Sequence, residues 1–187
     1  MRILIPTFSG KSNLFFFFNE MIYTDHFLKI LKMKKDHPGV YIPPPIIYLL
    51  IFFIAYFLQK IIAINNSFFN HDGVKTAGII FFVAGAYFSM QGAWKFIQTG
   101  NTLITVKPAS SLQQTGVYKF TRNPMYFGLI FLYLGFTCFF GNWWHIILLP
   151  VLIIIIQEYV IKKEEKYLER EFNQAYLDYK RKVRRWI

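Results

Sequence analysis

The sequence has few of the residues that disulfides, metal centres or a dinucleotide-binding fold require. Cys138 is the only cysteine among 187 residues, which excludes an intrachain disulfide and a metal site built on cysteines. The four histidines show no metal-ligand spacing. No G-x-G-x-x-G motif is present. The sequence therefore predicts no metal site and no Rossmann-type cofactor site.

Charged residues are also scarce, whereas apolar residues are abundant. Only 17% of the residues are charged, against about 25% in a typical soluble domain, and 55% are hydrophobic. Apolar stretches long enough, or nearly so, to cross a bilayer cover residues 45–64, 76–94, 124–140 and 143–161. We predict an all-α integral membrane fold with about four transmembrane helices, of which the last two form a tight hairpin, and a C-terminal amphipathic helix. A buried core in a soluble protein is the alternative.

The distribution of positive charge predicts an orientation. The net charge is 21 − 10 = +11. Lysine and arginine cluster before the first stretch, between the second and third, and after the fourth, where nine follow Ile161. The loop 65–73 and the turn 141–142 have none. Because short basic loops stay cytoplasmic, we expect a bacterial inner-membrane protein with both termini in the cytoplasm. The basic residues indicate contact with membrane lipids, and nothing indicates nucleic-acid binding.

The chain divides into an N-terminal extension and a membrane domain. Residues 1–40 contain a short phenylalanine run that cannot span a bilayer, and Met33 offers an alternative start just before the first apolar stretch. We therefore predict that residues 1–40 are a loosely structured or wrongly assigned extension, and that residues 41–187 form the functional domain.

Glycines recur at seven-residue spacing in the second and third apolar stretches. Gly78, Gly85 and Gly92 fall on one helical face, and Gly128 and Gly135 repeat the pattern. Such a strip predicts close helix packing; the alternative is that it leaves room for a ligand.

The last 26 residues predict an amphipathic helix. From the last residue of the fourth stretch onward, apolar residues recur at helical intervals, namely Ile161, Leu168, Phe172, Tyr176, Tyr179 and Val183. The helix either lies on the membrane surface or folds back over the polar segment 97–123, whose length is typical of functional loops.

The stretch "GVYKFTRNPMYFG", residues 116–128, places polar residues at the start of an apolar helix. Pro124 fits the first helical position and Asn123 the cap before it. The free N–H groups and the dipole of such a helix end attract a carboxylate. Acidic residues follow at Glu158 and at 164–165, so the sequence predicts a site for an anionic or zwitterionic ligand under the terminal helix.

The ordered set of these residues resembles the integral-membrane methyltransferases of the isoprenylcysteine carboxyl methyltransferase and phospholipid methyltransferase superfamily. The resemblance covers about residues 40–187. It rests on Gly116-Val117-Tyr118, Arg122-Asn123-Pro124-Met125-Tyr126, Glu164-Glu165 and the series Phe172, Tyr176, Tyr179.

The resemblance implies that S-adenosylmethionine binds in a cytosol-facing pocket without a Rossmann fold. It implies that the cofactor is lined by Ser110, Ser111, Leu112 and Gln113, contacted by Tyr118, supported by Asn123, Pro124, Met125 and Tyr126, and bound at a polar end by Glu164. Two positions depart from the eukaryotic prenylcysteine enzymes, since Asn123 stands in place of a histidine and Val160 in place of a substrate-binding arginine. Both departures weigh against a prenylcysteine substrate.

Three residues are predicted to be catalytic, namely Glu158, Glu165 and Arg122. An amine acceptor must lose a proton before it accepts a methyl group, and Glu158 or Glu165 is the candidate base. Each has a structural alternative: Glu158 faces the membrane interface, Glu165 pairs with Lys162 or Lys163, and Arg122 anchors a lipid phosphate.

The predicted function is methyl transfer from S-adenosylmethionine to a lipophilic or membrane-embedded acceptor that enters from the bilayer. The acceptor is either the carboxylate of a prenylcysteine-like compound or the amine of a phospholipid or other molecule. Two alternatives are an NADPH-dependent membrane reductase of the steroid-reductase type and a non-catalytic membrane protein that retains the fold.

Overall fold

The computed structural model describes residues 38–100 and 111–187. Most of the predicted N-terminal extension therefore lies outside the described residues. Of its last three residues, Val40 is buried against the helical core, and the carbonyl of Gly39 accepts a hydrogen bond from Lys163.

All regular structure in the described residues is helical, which confirms the predicted all-α class. The helices are α1 (Pro44–Ile61), α2 (Asp72–Gln98), α3 (Pro124–Phe140), α4 (Trp143–Ile155) and α5 (Lys162–Lys182). Two 3₁₀ turns cover Ser67–Asn70 and Gly116–Lys119, and a π-helical segment covers Ile156–Ile161.

Within residues 38–100 and 111–187, three helical runs are long and apolar enough to cross a membrane. They are α1, α2 and the continuous run of α4, the π-helical segment and α5. That run has 40 residues, whereas a span needs only about 20. Only its apolar part, residues 143–161, suits the bilayer, so charged α5 lies beyond the span. The helix α3 is also apolar, but with 17 residues it is shorter than each of these three runs.

The glycine strip brings α2 and α3 into backbone contact. A methyl group added at Gly85 would lie 2.6 Å from the Leu132 nitrogen and 2.8 Å from the Gly128 carbonyl oxygen. One at Gly78 would lie 2.7 Å from Cβ of Cys138. The predicted helix packing is confirmed. The alternative, that the glycine strip leaves room for a ligand, is wrong because α3 fills that space.

A two-residue turn connects α3 to α4, as the sequence predicts. Gly141 ends α3 with φ of 60°, a left-handed conformation that glycine adopts without steric cost. Asn142 then accepts a hydrogen bond from the Trp144 N–H at 2.9 Å and so caps α4. Its amide also donates to the Ala55 carbonyl at 3.0 Å, which fixes the hairpin to α1.

The helix α5 is broken at Asn173, whose φ of 44° and ψ of −122° are non-helical. A straight helix would place residues 165 and 185 about 30 Å apart, but their side chains are hydrogen-bonded at 2.7 Å. The chain therefore folds back at Asn173, and the second half of α5 returns over the loop before α3. Of the two predicted arrangements, α5 adopts the fold-back, and it contacts the described part of the polar segment at Tyr118.

Candidate functional site

The start of α3 has the predicted backbone arrangement but a different side-chain contact. Pro124 occupies the first turn and Asn123 the N-cap position. The Asn123 side chain forms no cap hydrogen bond. Its amide donates instead to the Arg185 carbonyl at 2.9 Å, because the folded-back C-terminus brings that acceptor close. Asn123 is thus at the predicted cap position and is buried there, but its side chain does not bond the N–H groups of α3.

Tyr126 and Glu164 form the central polar contact of the site. The Tyr126 hydroxyl, one turn into α3, donates to the Glu164 carboxylate at 2.6 Å. Glu164 is half-buried on the first turn of α5, and burial raises its pKa to about 7 even though the tyrosine bond acts in the opposite direction. Among the described residues, Glu164 forms no ion pair. The partner of this carboxylate in the described part of the chain is therefore the neutral hydroxyl of Tyr126.

Tyr118 lies next to this pair, buried in the 3₁₀ turn that precedes α3. Its hydroxyl donates to the Gly92 carbonyl at 3.3 Å, and its ring stacks on Phe96 with centroids 6.3 Å apart. The Tyr179 hydroxyl, from the second half of α5, donates to the Tyr118 carbonyl at 2.6 Å. Burial, and secondarily the nearby charges of Tyr179 and Glu164, raise the pKa of Tyr118, which therefore stays protonated at neutral pH.

Three of the four predicted loop residues are described, and Ser110 lies outside the described range. Gln113 is buried, and its amide donates to Thr99 Oγ1 at 2.8 Å and to Ser111 Oγ at 3.0 Å. Leu112 packs against the buried cluster that contains Tyr118. These contacts tie the loop to the C-terminal end of α2, beside Tyr118.

Arg122 and Glu165 form a buried ion pair in which a second arginine takes part. Arg122 Nη2 lies 3.1 Å from Glu165 Oε1, and both side chains are only 8% exposed. Arg185 donates to both oxygens of Glu165, from Nε at 2.9 Å and from Nη2 at 2.7 Å. Arg122 also donates to the Tyr176 hydroxyl at 3.3 Å. Glu165 thus pairs with two arginines, and neither Lys162 nor Lys163 is its partner.

The remaining predicted residues lie at the edge of this arrangement. Glu158 is exposed and pairs with Lys162 at 2.6 Å. Met125 is half-buried, and its Cγ lies 2.7 Å from where a methyl group at Gly92 would be. The structure therefore brings Tyr118, Tyr126 and Glu164 together and leaves Glu158 outside their contacts.

Comparison with known proteins identifies the family. The family model for phospholipid methyltransferase matches residues 74–175, which include the loop, α3 and the acidic pair. The chain belongs to the phospholipid methyltransferase family. An uncharacterised protein of Haemophilus influenzae is 39% identical over 66 residues, which are 34% of this chain and 100% of that protein. No solved structure matches.

For this phospholipid methyltransferase family member, sequence reasoning missed several residues that form the site. Arg185 holds Glu165, and Phe96 and Gly92 contact Tyr118. Each contact joins residues at least 20 positions apart, so helical periodicity contains no signal for it. The basic C-terminus indicated a membrane surface, but its composition could not identify Arg185 as the partner of a buried carboxylate.

Proposed function

We propose that the protein transfers a methyl group from S-adenosylmethionine to a lipophilic acceptor in the membrane. Membership of the phospholipid methyltransferase family supports methyl transfer, and the apolar helices support a membrane-embedded acceptor. The observation that carries the proposal is the Glu164 carboxylate, which contacts Tyr126 beside the family's sequence motif and lacks a cationic partner among the described residues.

The described residues fit the chemistry of this cofactor. S-adenosylmethionine carries an ammonium and a sulfonium, and a carboxylate such as Glu164 attracts either cation. Aromatic faces attract cations as well, and Tyr118 and Phe96 provide a stacked pair nearby. The first N–H groups of α3 suit the carboxylate of the same molecule. We propose that Glu164 and Tyr126 hold the ammonium end, while the loop residues, including Ser110, line the rest.

When bound, the cofactor supplies a methyl group activated by the positive sulfur. The protein contributes mainly by positioning the two reactants, which lowers the barrier by several kcal/mol, and by excluding water. An amine acceptor also needs a group that removes its proton. Glu165 is poorly suited, because two arginines already occupy both of its carboxylate oxygens. We retain Glu158 as the candidate base, since exposed pairs such as Glu158–Lys162 are weak.

The buried ion pair supports a structural role for Arg122 and Glu165. Removing Glu165 would leave the buried Arg122 guanidinium without its carboxylate, and breaking a buried pair in this way costs about 3–5 kcal/mol. We therefore propose that both residues maintain the site, and that the acceptor reaches it sideways from the bilayer. The protein is proposed to lie in the bacterial inner membrane with both termini in the cytoplasm, as its basic loops indicate.

Binding of the two candidate cofactors tests the proposal. The full chain, purified in detergent, is titrated with labelled S-adenosylmethionine and separately with labelled NADPH. We expect saturable binding of S-adenosylmethionine and none of NADPH. The same protein, incubated with labelled S-adenosylmethionine and a bacterial lipid extract, is expected to transfer the label to a lipid-soluble product identified by mass spectrometry.

The other outcomes separate the alternatives. Binding of NADPH alone would favour a reductase of the steroid-reductase type and overturn the proposal. Binding of S-adenosylmethionine without transfer to any amine, carboxylate or thiol supplied would favour a non-catalytic protein that retains the fold. The chemical class of the labelled product would distinguish a carboxylate acceptor from an amine.

A further inference from the structure

The C-terminal strap, residues 183–187, crosses the start of α3. After α5 the backbone becomes extended at Val183, with φ of −122° and ψ of 131°. The Arg184 carbonyl accepts a hydrogen bond from the Arg122 N–H at 3.0 Å. The Arg185 carbonyl accepts two more, from Thr121 Oγ1 at 3.0 Å and from Asn123 Nδ2 at 2.9 Å. The strap therefore satisfies three donors of the segment that starts α3.

The side chain of Arg185 connects the same strap to the start of α5. It binds both carboxylate oxygens of Glu165, in the two-bond geometry that makes arginine–carboxylate pairs both strong and directional. These bonds raise the pKa of Arg185, whose side chain therefore stays charged at neutral pH. Arg185 is thus the one residue of the strap that contacts both helix starts, one through its backbone and the other through its side chain.

The strap is also anchored beyond Arg185. Trp186 packs against the core formed by α1, α3 and α4, and its indole N–H donates to Gln157 Oε1 at 3.3 Å. On the other side, Val183 packs against the buried cluster of Tyr118, Tyr176 and Tyr179. Both ends of the strap are therefore fixed by packing, so the strap can keep the helix starts that it contacts in a constant position. It lies outside residues 74–175, which the family model matches.

We infer that Arg185 is a positioning residue that sets the distance between the two helix starts carrying Tyr126 and Glu164. Tyr126 lies three residues after Asn123, which Arg185 holds by its carbonyl, and Glu164 immediately precedes Glu165, which Arg185 holds by its guanidinium. The inference deepens the proposed function and rests on it, because the proposed function assigns Tyr126 and Glu164 as cofactor contacts.

The test compares Arg185→Gln with Arg184→Gln in the full chain. Both changes remove one positive charge and keep the backbone acceptors, but the Arg184 side chain is exposed. One measurement is amide hydrogen exchange of the ligand-free protein in residues 121–127 and 162–168. The other is the affinity for S-adenosylmethionine, with KM and kcat where turnover is observed.

For Arg185→Gln we expect faster exchange in both segments, unchanged exchange in α1, and affinity for S-adenosylmethionine weakened five- to twentyfold. KM should rise while kcat at saturating cofactor stays within twofold. Arg185→Lys, which retains the charge but not the paired hydrogen bonds, should recover part of the affinity. Arg184→Gln should match the parent in both measurements.

Unchanged exchange in Arg185→Gln would overturn the inference. Faster exchange with unchanged affinity would also overturn it, because the strap would then stabilise the fold without positioning the site. A parent protein that binds no S-adenosylmethionine would instead overturn the proposed function, and the exchange rates would then decide separately whether Arg185 holds the two helix starts together.

Discussion

Two adjacent carboxylates on the first turn of α5 have opposite surroundings. Consecutive helical residues point about 100° apart, so Glu165 faces Arg122 and Arg185 while Glu164 faces the Tyr126 hydroxyl. Two arginines pair with Glu165. Glu164 has a hydroxyl partner, Tyr126, and no cationic partner among the described residues. This difference is the basis for assigning a structural role to one residue and a binding role to the other.

The raised pKa of Glu164 predicts a pH-dependent affinity. Burial raises this pKa to about 7, so the group is largely protonated at pH 6 and largely ionised at pH 7.5. A cationic ligand prefers the ionised form, and affinity for S-adenosylmethionine should therefore rise several-fold between these pH values. Without ligand the sign reverses: the stability that the raised pKa contributes is complete below pH 4.5 and is lost as the pH rises through about 7.

Titration calorimetry of the parent and Glu164→Gln at both pH values checks this dependence. Tyr126, Tyr118 and Glu165 are the titratable groups around Glu164 and remain in the variant. The rise in affinity should disappear in Glu164→Gln. A rise that persists in the variant would assign the titration to another group.

Asn173 has a backbone conformation that side chains disfavour. With φ of 44° and ψ of −122°, it lies in a region populated mainly by glycine, at a cost of order 1–3 kcal/mol for other residues. We predict that Asn173→Gly raises the free energy of unfolding by about 1 kcal/mol and that Asn173→Val lowers it by about 1–3 kcal/mol. Thermal unfolding in detergent, where 1 kcal/mol corresponds to roughly 2–4 °C, checks both. Destabilisation by glycine would contradict the fold-back.

At the scale of helices, the contact of α2 with α3 fixes the position of the site. Gly92 on α2 faces Met125 on α3 and supplies the carbonyl that Tyr118 binds. The same contact continues along the helices through Gly85 and Gly128. The loop and the start of α3 therefore meet only because the backbones of α2 and α3 lie close together.

Gly128→Ala should separate these helices. The added methyl would lie 2.6 Å from the Ser89 nitrogen and 2.7 Å from the Gly85 carbonyl oxygen, which are backbone atoms and cannot rotate away. We predict a loss of about 1–3 kcal/mol of stability, measured by thermal unfolding. Gly73→Ala is the matched control: it lies in the first turn of α2 with no described atom within 4 Å of the added methyl. It should be neutral or stabilising, and equal effects of the two changes would contradict the packing.

Local sequence patterns predicted part of this arrangement. Apolar runs indicated the helices, Pro124 marked the start of α3, and glycine spacing indicated the α2–α3 contact, because each signal lies within a few residues. The periodicity of α5 predicted a continuous apolar face and did not indicate the break at Asn173, because the apolar residues keep their helical spacing on both sides of it. The family resemblance directed attention to Tyr126 and Glu164, but their hydrogen bond could not be read from the sequence.

The pairing of charges was beyond sequence reasoning for a physical reason. Glu165 has Lys162 and Lys163 close in the sequence, and the three-residue spacing of Lys162 is one that favours a helical ion pair. The fold-back brings Arg185 to it from 20 residues away, and a rigid guanidinium that binds both oxygens is the stronger partner. Which distant arginine reaches a carboxylate depends on the three-dimensional path of the chain.

At the scale of the whole molecule, the proposed orientation predicts which loops are accessible from outside the cell. In a Cys138→Ala background, Ser67→Cys and Gln114→Cys place single thiols at exposed positions on either side of α2. A membrane-impermeant maleimide should label Cys at 67 in intact cells and Cys at 114 only after permeabilisation. The reverse pattern would place the candidate site outside the cytoplasm and contradict the proposed cofactor.

The central claim is that Glu164 binds a cofactor that the whole fold is built to hold. Calorimetric titration of the purified protein with S-adenosylmethionine at pH 7.5 tests it most directly. A charged hydrogen bond is worth about 1.5–3 kcal/mol, so Glu164→Gln should weaken binding about ten- to hundredfold. Glu171→Gln, the same change at an exposed position of α5, should bind within twofold of the parent. Equal affinities of the parent and Glu164→Gln would remove α5 from the cofactor site and contradict the account.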